Sequence, residues 1–146
     1  MQVLTELIKG LKKSGFRLTR ARKQILEIIY ASVAPLSIVD IIAELSARNL
    51  PVNKTTVYRE VTFLQNQNVV EGIDLGDGKM RYELRHDGSH HHHHHHLVCL
   101  KCRKVECIHF DNCLVEEQRK VSELWNFKII NHSLNFFGFC CACSDR

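Results

Sequence analysis

The chain has 146 residues, 45% of them hydrophobic, with a formal charge of +4, 10 histidines and seven cysteines. That is enough apolar material for one domain or two small ones without covalent staples, and no apolar run approaches the ~20 residues of a membrane span. An odd cysteine count sits badly with a secreted disulfide framework, and the opening residues lack an apolar stretch of roughly 7 to 15 residues, so a reducing cytoplasm is the expected compartment.

Residues 3–13 place Val3, Leu4, Leu7, Ile8 and Leu11 at helical spacing. Thr19 suits the N-cap of a second helix carrying Ile25, Leu26, Ile28 and Ile29. Pro35-Leu36-Ser37 ends it, and Ser37 can cap a third helix with Val39, Ile41, Ile42 and Leu45 inward. After Asn49-Leu50-Pro51 a fourth helix is expected from about 54 to 66, burying Val57, Val61 and Leu64. The period then falls to two: residues 69–75 and 80–84 flank Gly76-Asp77-Gly78, a hairpin signal. Helices followed by a hairpin predict a winged helix-turn-helix.

Charge is unevenly placed. Residues 1–85 carry 13 Lys and Arg against 9 Asp and Glu, whereas residues 86–146 carry 7 of each, so the whole excess of 4 lies in the first part. Lys9, Lys12, Lys13, Arg17, Arg20, Arg22 and Lys23 follow one another with no acid between them. Such a run reads as a phosphate-facing surface, or as a solvated basic face that serves solubility alone. The fourth helix opens Asn53-Lys54-Thr55-Thr56-Val57-Tyr58-Arg59. The first turn of a recognition helix enters the major groove, where Arg takes guanine bidentately and Thr or Tyr meets thymine methyls. Amphipathic helices that read nothing share this composition.

The last third holds the metal chemistry. Cys99-x-x-Cys102 and Cys140-x-x-Cys143 each aim two sulfurs at one point, and together they supply the four thiolates of a tetrahedral structural zinc. The 37 residues between the pairs make this the closure of a small domain rather than a single finger. Two disulfides or free buried thiols are the alternatives. Cys107, Cys113 and Cys141 have no place in the four-sulfur scheme and read as packing, with Cys141 able to exchange for Cys140. A helix is expected from Cys113 to Trp125, where Glu116 and Glu117 suit the first turn. Seven histidines, His90 to His96, look like an affinity tag, but they run without a break into Leu97-Val98-Cys99 and read as native. If residues 91–96 are extended, His92, His94 and His96 face one side and His93 and His95 the other, so one segment can feed two metal centres. Neither H-x-E with P-C-x-x-C nor H-E-x-x-H occurs, which argues against a zinc enzyme. A cytoplasmic zinc or nickel buffer is the alternative to a DNA-directed role.

Gly15-Phe16-Arg17-Leu18-Thr19-Arg20-Ala21-Arg22, Thr56-Val57-Tyr58-Arg59, the histidines before Leu97-Val98-Cys99-Leu100-Lys101-Cys102, and Asn131-His132-Ser133-Leu134 occur in the order of the ferric uptake regulator superfamily, which the chain resembles from about residue 5 to Cys143. The resemblance implies a metal-dependent transcriptional repressor of α+β (α/β) class: a winged-helix DNA-binding domain (1–84), a His-rich hinge (85–96) and a zinc-containing dimerisation domain (97–146). It implies structural zinc on the four paired cysteines. It further implies a sensory iron or zinc site on Glu83, His94, His96 and a ligand after the cysteine pair, drawn from Glu106, Cys107 and His109, with His109 fitting best. A second site in the dimerisation domain maps onto His93, His95, Glu116 and His132, with His95 where many relatives have aspartate. A further family ligand falls at Pro35 and is missing. Arg17, Arg20, Lys54, Thr55, Thr56, Tyr58 and Arg59 map onto DNA contacts, and the implied partners are an A/T-rich palindromic operator and a second copy of the chain.

Overall fold

In the computed structural model, which describes residues 2–76, 78–85, 94–110, 113–130 and 132–144, the chain divides into two compact units, Met1–His86 and Asp87–Arg146. The first contains α1 (Gln2–Lys13), α2 (Arg20–Ala31), β1 (Leu36–Ser37), α3 (Ile38–Ala47), α4 (Lys54–Asn66), β2 (Val70–Asp74) and β3 (Met80–Leu84). Local chemistry fixes both ends of its helices. Thr19 accepts the Arg22 amide at 3.1 Å, Asn53 accepts the Thr56 amide at 2.8 Å, and Ser37 and Asp40 form a reciprocal capping box. The helices α1, α3 and α4 stop on Gly15, Asn49 and Asn68, with φ of 79°, 54° and 56°. In each, the next amide reaches back across the last turn: Phe16 to the Leu11 carbonyl, Leu50 to Leu45 and Val69 to Leu64. Glycine and asparagine tolerate that left-handed position, which explains why the breaks fall there.

Strands β2 and β3 form the expected hairpin, and β1 adds to it in the order β1-β3-β2, with Leu36 and Gly72 both opposite Tyr82. Two residues are too few for periodicity to reveal β1. The core beneath the wing is Ile25, Leu26, Ile41, Leu45, Val57, Val61 and Leu64. Val39, expected inward, is 62% exposed. Ile38, Ile41 and Leu45 form the buried stripe of α3, and Val39 lies about 100° round the helix from Ile38.

A buried ion pair joins α2 to α4. Arg22 Nε donates to Glu60 Oε2 at 2.8 Å, with side-chain exposures of 13% and 6%. The guanidinium also donates to the Arg17 carbonyl at 2.6 Å and lies over the Phe63 ring, 3.5 Å from its centroid. Arg22 therefore leaves the basic surface on which its sequence neighbours place it. Removing one partner strands the other charge away from water, so Arg22→Met is expected to destabilise the first unit by about 3–5 kcal/mol. Urea unfolding with the double variant Arg22→Met/Glu60→Leu checks this. The double variant should recover much of the loss, and additive losses would show that the pair is not the cause.

The second unit contains β4 (His94–Cys99), β5 (Val105–His109), α5 (Val115–Trp125), β6 (Asn135–Gly138) and the short α6 (Cys141–Ser144). Its sheet runs β5-β4-β6, with β5 antiparallel and β6 parallel to β4. The helix expected from Cys113 begins at Val115, after Leu114 in the left-handed region at φ 55°. Strand β4 starts inside the span expected to be hinge, and residues 86–93 of that span lie outside the described residues. Among the described residues of this unit, only His95, His96, Val98 and Cys99 are buried, and α5 buries none. The hydrophobic cluster lies wholly in the first unit. Among the described residues, the interior of the second unit consists largely of metal-ligating side-chain types, with little hydrocarbon to close it.

Candidate metal centres and nucleic-acid interface

The Cys99 knuckle is a turn at the end of β4. Arg103, at φ 62°, returns its amide to the Cys99 carbonyl at 2.9 Å. The second knuckle opens α6, where the Cys143 and Ser144 amides reach the Cys140 carbonyl at 2.8 and 2.9 Å. Gly138, paired with Cys99 in register, brings the two together, and the Leu100 amide donates to its carbonyl at 2.8 Å. The sulfurs of Cys99, Cys102, Cys140 and Cys143 all lie within 4.8 Å of one another, with Cys102 and Cys140 3.7 Å apart. Zinc–sulfur bonds of about 2.3 Å at tetrahedral angles separate sulfurs by about 3.8 Å, so the four cysteines fit a zinc ion. The Cys140 amide donates to Cys99 Sγ at 3.5 Å; together with the Cys102 amide it pulls that thiol down to about 5. Desolvation, then the neighbouring sulfurs of Cys140, Cys102 and Cys99, push Cys143 up to about 12. The Cys99 thiolate is welcomed while those of Cys140 and Cys143 are resisted, which is the electrostatic problem a divalent cation at their centre solves. Cys141 is exposed and falls outside the group.

Along β4 the side chains alternate. His94 and His96 face one side of the sheet; cross-strand register puts Cys107 opposite His96 and His109 opposite His94. A donor atom each from His94, His96 and Cys107 lies within 4.8 Å of the others. The His94 ring is 5.1 Å from that of His96 and 6.0 Å from that of His109. His109 thus lines the same face without entering the tight group. Glu106 pairs with Leu97, which turns it to the opposite face, where it holds Lys104 at 2.6 Å. His96 Nδ1 sits 3.3 Å from Asn135 Oδ1 on the parallel strand. With oxygen as acceptor, Nδ1 carries the proton and Nε2 keeps a lone pair for a metal.

His95 faces the other side and gathers with Cys113 and His132, again within 4.8 Å. The His95 ring is 5.6 Å from that of His132 and 5.5 Å from that of Phe110. Gln118 Nε2 is 3.1 Å from His132 Nδ1, and turning the amide over would offer oxygen to the same atom. Glu116 is exposed and outside this group, and His93 lies outside the described residues. Glu83 belongs to the first unit, on β3 opposite Glu71. Pro35 is fully buried there. Sequence reasoning favours packing for Cys107 and Cys113, with Cys107 also open as a sensory ligand beside Glu106 and His109; Val105-x-Cys107-x-His109 carries the period-two signal that places Cys107 and His109 on one face.

In the first unit, Lys54, Thr55, Tyr58 and Arg59 are exposed on one side of α4, Thr56 is half-buried, and Val57, Glu60, Val61 and Leu64 anchor the other side. Lys54 Nζ sits 5.7 Å from the Tyr58 ring centroid. Arg59 reaches Glu60 Oε1 at 3.8 Å and keeps most of its side chain in solvent. Arg17 and Arg20 are exposed at the entry to α2. Glu60 escaped prediction because helical periodicity counts apolar residues, and a buried carboxylate is silent in that count.

Comparison with known proteins agrees with this layout. The ferric uptake regulator family matches residues 13–137. The ferric uptake regulation protein of Bacillus subtilis is 35% identical over 140 residues, covering 94% of this chain and 92% of that protein. The peroxide operon regulator of the same organism is 27% identical over 144 residues, covering 98% and 94%. The Helicobacter pylori ferric uptake regulator, whose structure is described as having three functional metal-binding sites, superposes with a TM-score of 0.76 at 26% identity over 97% of this chain and 91% of its own. The Vibrio cholerae regulator gives 0.75 at 29% identity over 90% and 98%. A winged unit with an exposed polar face on α4, a four-sulfur centre and relatives of this kind along almost the whole sequence lead to one conclusion: the chain belongs to the ferric uptake regulator family of metal-responsive transcription regulators.

Proposed function

We propose that this chain is a cytoplasmic repressor that binds an A/T-rich palindromic operator as a homodimer when iron or zinc is plentiful, and so controls metal-homeostasis genes. The observation that carries the reading is the alternation of β4, which presents His94 and His96 to one face and His95 to the other directly before the zinc knuckle. The structural zinc ligands are Cys99, Cys102, Cys140 and Cys143. The sensory set taken from the family resemblance is Glu83, His94, His96 and His109, and the second set is His93, His95, Glu116 and His132. Bound metal supplies a cross-link between chain segments that side chains alone make weakly. Metal and operator then favour the same conformation, and each raises affinity for the other by the same factor.

Two further features support the reading. Lys54, Thr55, Tyr58 and Arg59 suit base edges and phosphates at the start of a recognition helix, with Thr56 beside them and Arg17 and Arg20 on the backbone. The second unit exposes the large apolar side chains of Val121, Leu124, Trp125, Phe136 and Phe137, which a second copy would cover. The activity is binding rather than turnover.

The test is a gel shift on an A/T-rich palindrome. Retardation is expected with zinc or iron(II) and is lost with a chelator that spares the four-sulfur centre. Affinity should fall steeply with salt in proportion to the phosphates neutralised. Protein that binds metal but shifts no DNA is a buffer, and the repressor reading then fails.

A further inference from the structure

Cys107 and Cys113 stand outside the four-sulfur centre, and each lies in a tight group with two imidazoles. Strand pairing builds the first group: Cys107 on β5 is directly opposite His96 on β4, so its thiol and that imidazole share a face. The second combines His95 of β4 with His132 and with Cys113, just ahead of α5. His95 and His96 are buried, at 2% and 4% exposure. Burying imidazoles beside a thiol costs rotamer freedom and hydration, and hydrocarbon would fill the same space more favourably. A metal ion offsets that cost. Bonds of about 2.0–2.3 Å to nitrogen and sulfur separate donors by about 3.3–3.8 Å, which fits the 4.8 Å envelope of both groups. Asn135 orients His96 for the first group, the role a second-shell partner plays.

We propose that Cys107 and Cys113 are metal ligands, making the two groups imidazole–thiolate centres that select zinc-class ions over manganese(II) and iron(II). This rests on the reading of the second unit as a metal-sensing half and sharpens it by naming the metal class. Thiolate donors favour borderline and soft ions, whereas hard manganese favours oxygen, and iron(II) stands below cobalt and zinc for the same donors. Each centre has three protein donors and leaves one tetrahedral position for a further ligand; on the Cys107 face His109 is at hand.

The test uses the full chain with zinc retained in the four-sulfur centre, confirmed by metal analysis, and titrated with cobalt(II). Cobalt–thiolate bonds give a charge-transfer absorption in the near ultraviolet that imidazole and carboxylate donors lack. The band is expected to grow over two equivalents, one for each group. Cys107→Ser and Cys113→Ser should each remove roughly half of it, and the double variant all of it, since each centre holds one thiolate. Cys107→Asp guards against simple misfolding: it should still take up cobalt at this centre without that share of the band, and should shift preference toward manganese. Zinc should displace cobalt from wild-type protein, and equimolar manganese should not. Two equivalents bound with no band, or a band unchanged in the double variant, overturns the proposal. The same samples in the gel shift separate the two readings. Metal-dependent DNA binding without the band sinks the thiolate assignment alone; the band with metal-indifferent DNA binding sustains it and removes the repressor reading.

Discussion

Cys140→Ser is expected to abolish zinc retention and collapse the second unit, whereas Cys141→Ser leaves both intact. The two residues are neighbours, both are cysteines, and spacing alone permits either as a ligand. The structure separates them: Cys140 Sγ lies 3.7 Å from Cys102 Sγ, and Cys141 points to solvent from the start of α6. The large effect follows from what else the unit lacks. Its described buried residues are two histidines, one valine and one of the zinc ligands themselves. Structural zinc contributes about 10–16 kcal/mol in small domains of this kind, far more than so slight a core supplies. Metal analysis, circular dichroism and thermal unfolding of the two variants decide the matter. The Cys140 variant should contain no tightly held zinc and lose its second-unit transition, while the first unit, with its own core, still melts cooperatively. Zinc retained in Cys140→Ser and lost in Cys141→Ser would reverse the assignment.

Tyr58→Ala/Arg59→Ala is expected to lower operator affinity at least about 100-fold, with the melting temperature almost unchanged. Each side chain is exposed on the outer face of α4, so truncation removes contact surface without opening the core. A bidentate arginine contact contributes about 1–3 kcal/mol, and a stacked or methyl-contacting tyrosine adds to it. The two substitutions should differ in kind. Losing a base contact relaxes sequence preference at one position, whereas losing a phosphate contact weakens every sequence and flattens the salt dependence by about one unit. Arg17→Ala and Arg20→Ala belong to the second kind. Gel shifts across a salt series on operator and scrambled DNA distinguish them. A double variant that binds the operator as tightly as the parent would mean that α4 is not the reading element.

Much of this was legible in the sequence where chemistry is local. Thr19, Ser37 and Asn53 announce helix starts because a side-chain oxygen within three residues of an amide is a sequence-level fact. Asn49 marks a break for the same kind of reason. The cysteine pairs are visible because a two-residue spacer fixes the convergence of their sulfurs. What remained hidden depends on partners distant in sequence. Cys107 was a candidate ligand in the sequence beside Glu106 and His109, but only strand register singles it out as the neighbour of His96. Cys113 meets His95 and His132 only once the chain has folded back. Glu60 is buried because Arg22, 38 residues earlier, reaches it. Glu116 is a helix-start acid that sequence logic could assign equally to dipole or metal, and it stands in solvent at the first turn of α5.

The polyhistidine tract has an unusual tolerance built into it. Registration of β4 is set from its Cys99 end, by pairing with β5 and β6, so the donors are counted backward from that cysteine. Repeated His codons gain or lose copies easily when DNA is replicated. Any such change, provided at least four histidines survive, still delivers imidazole three to six residues before Cys99. Tract length can therefore drift between generations while the candidate donor set at positions 93–96 stays constant, a robustness that a mixed-sequence segment would not have.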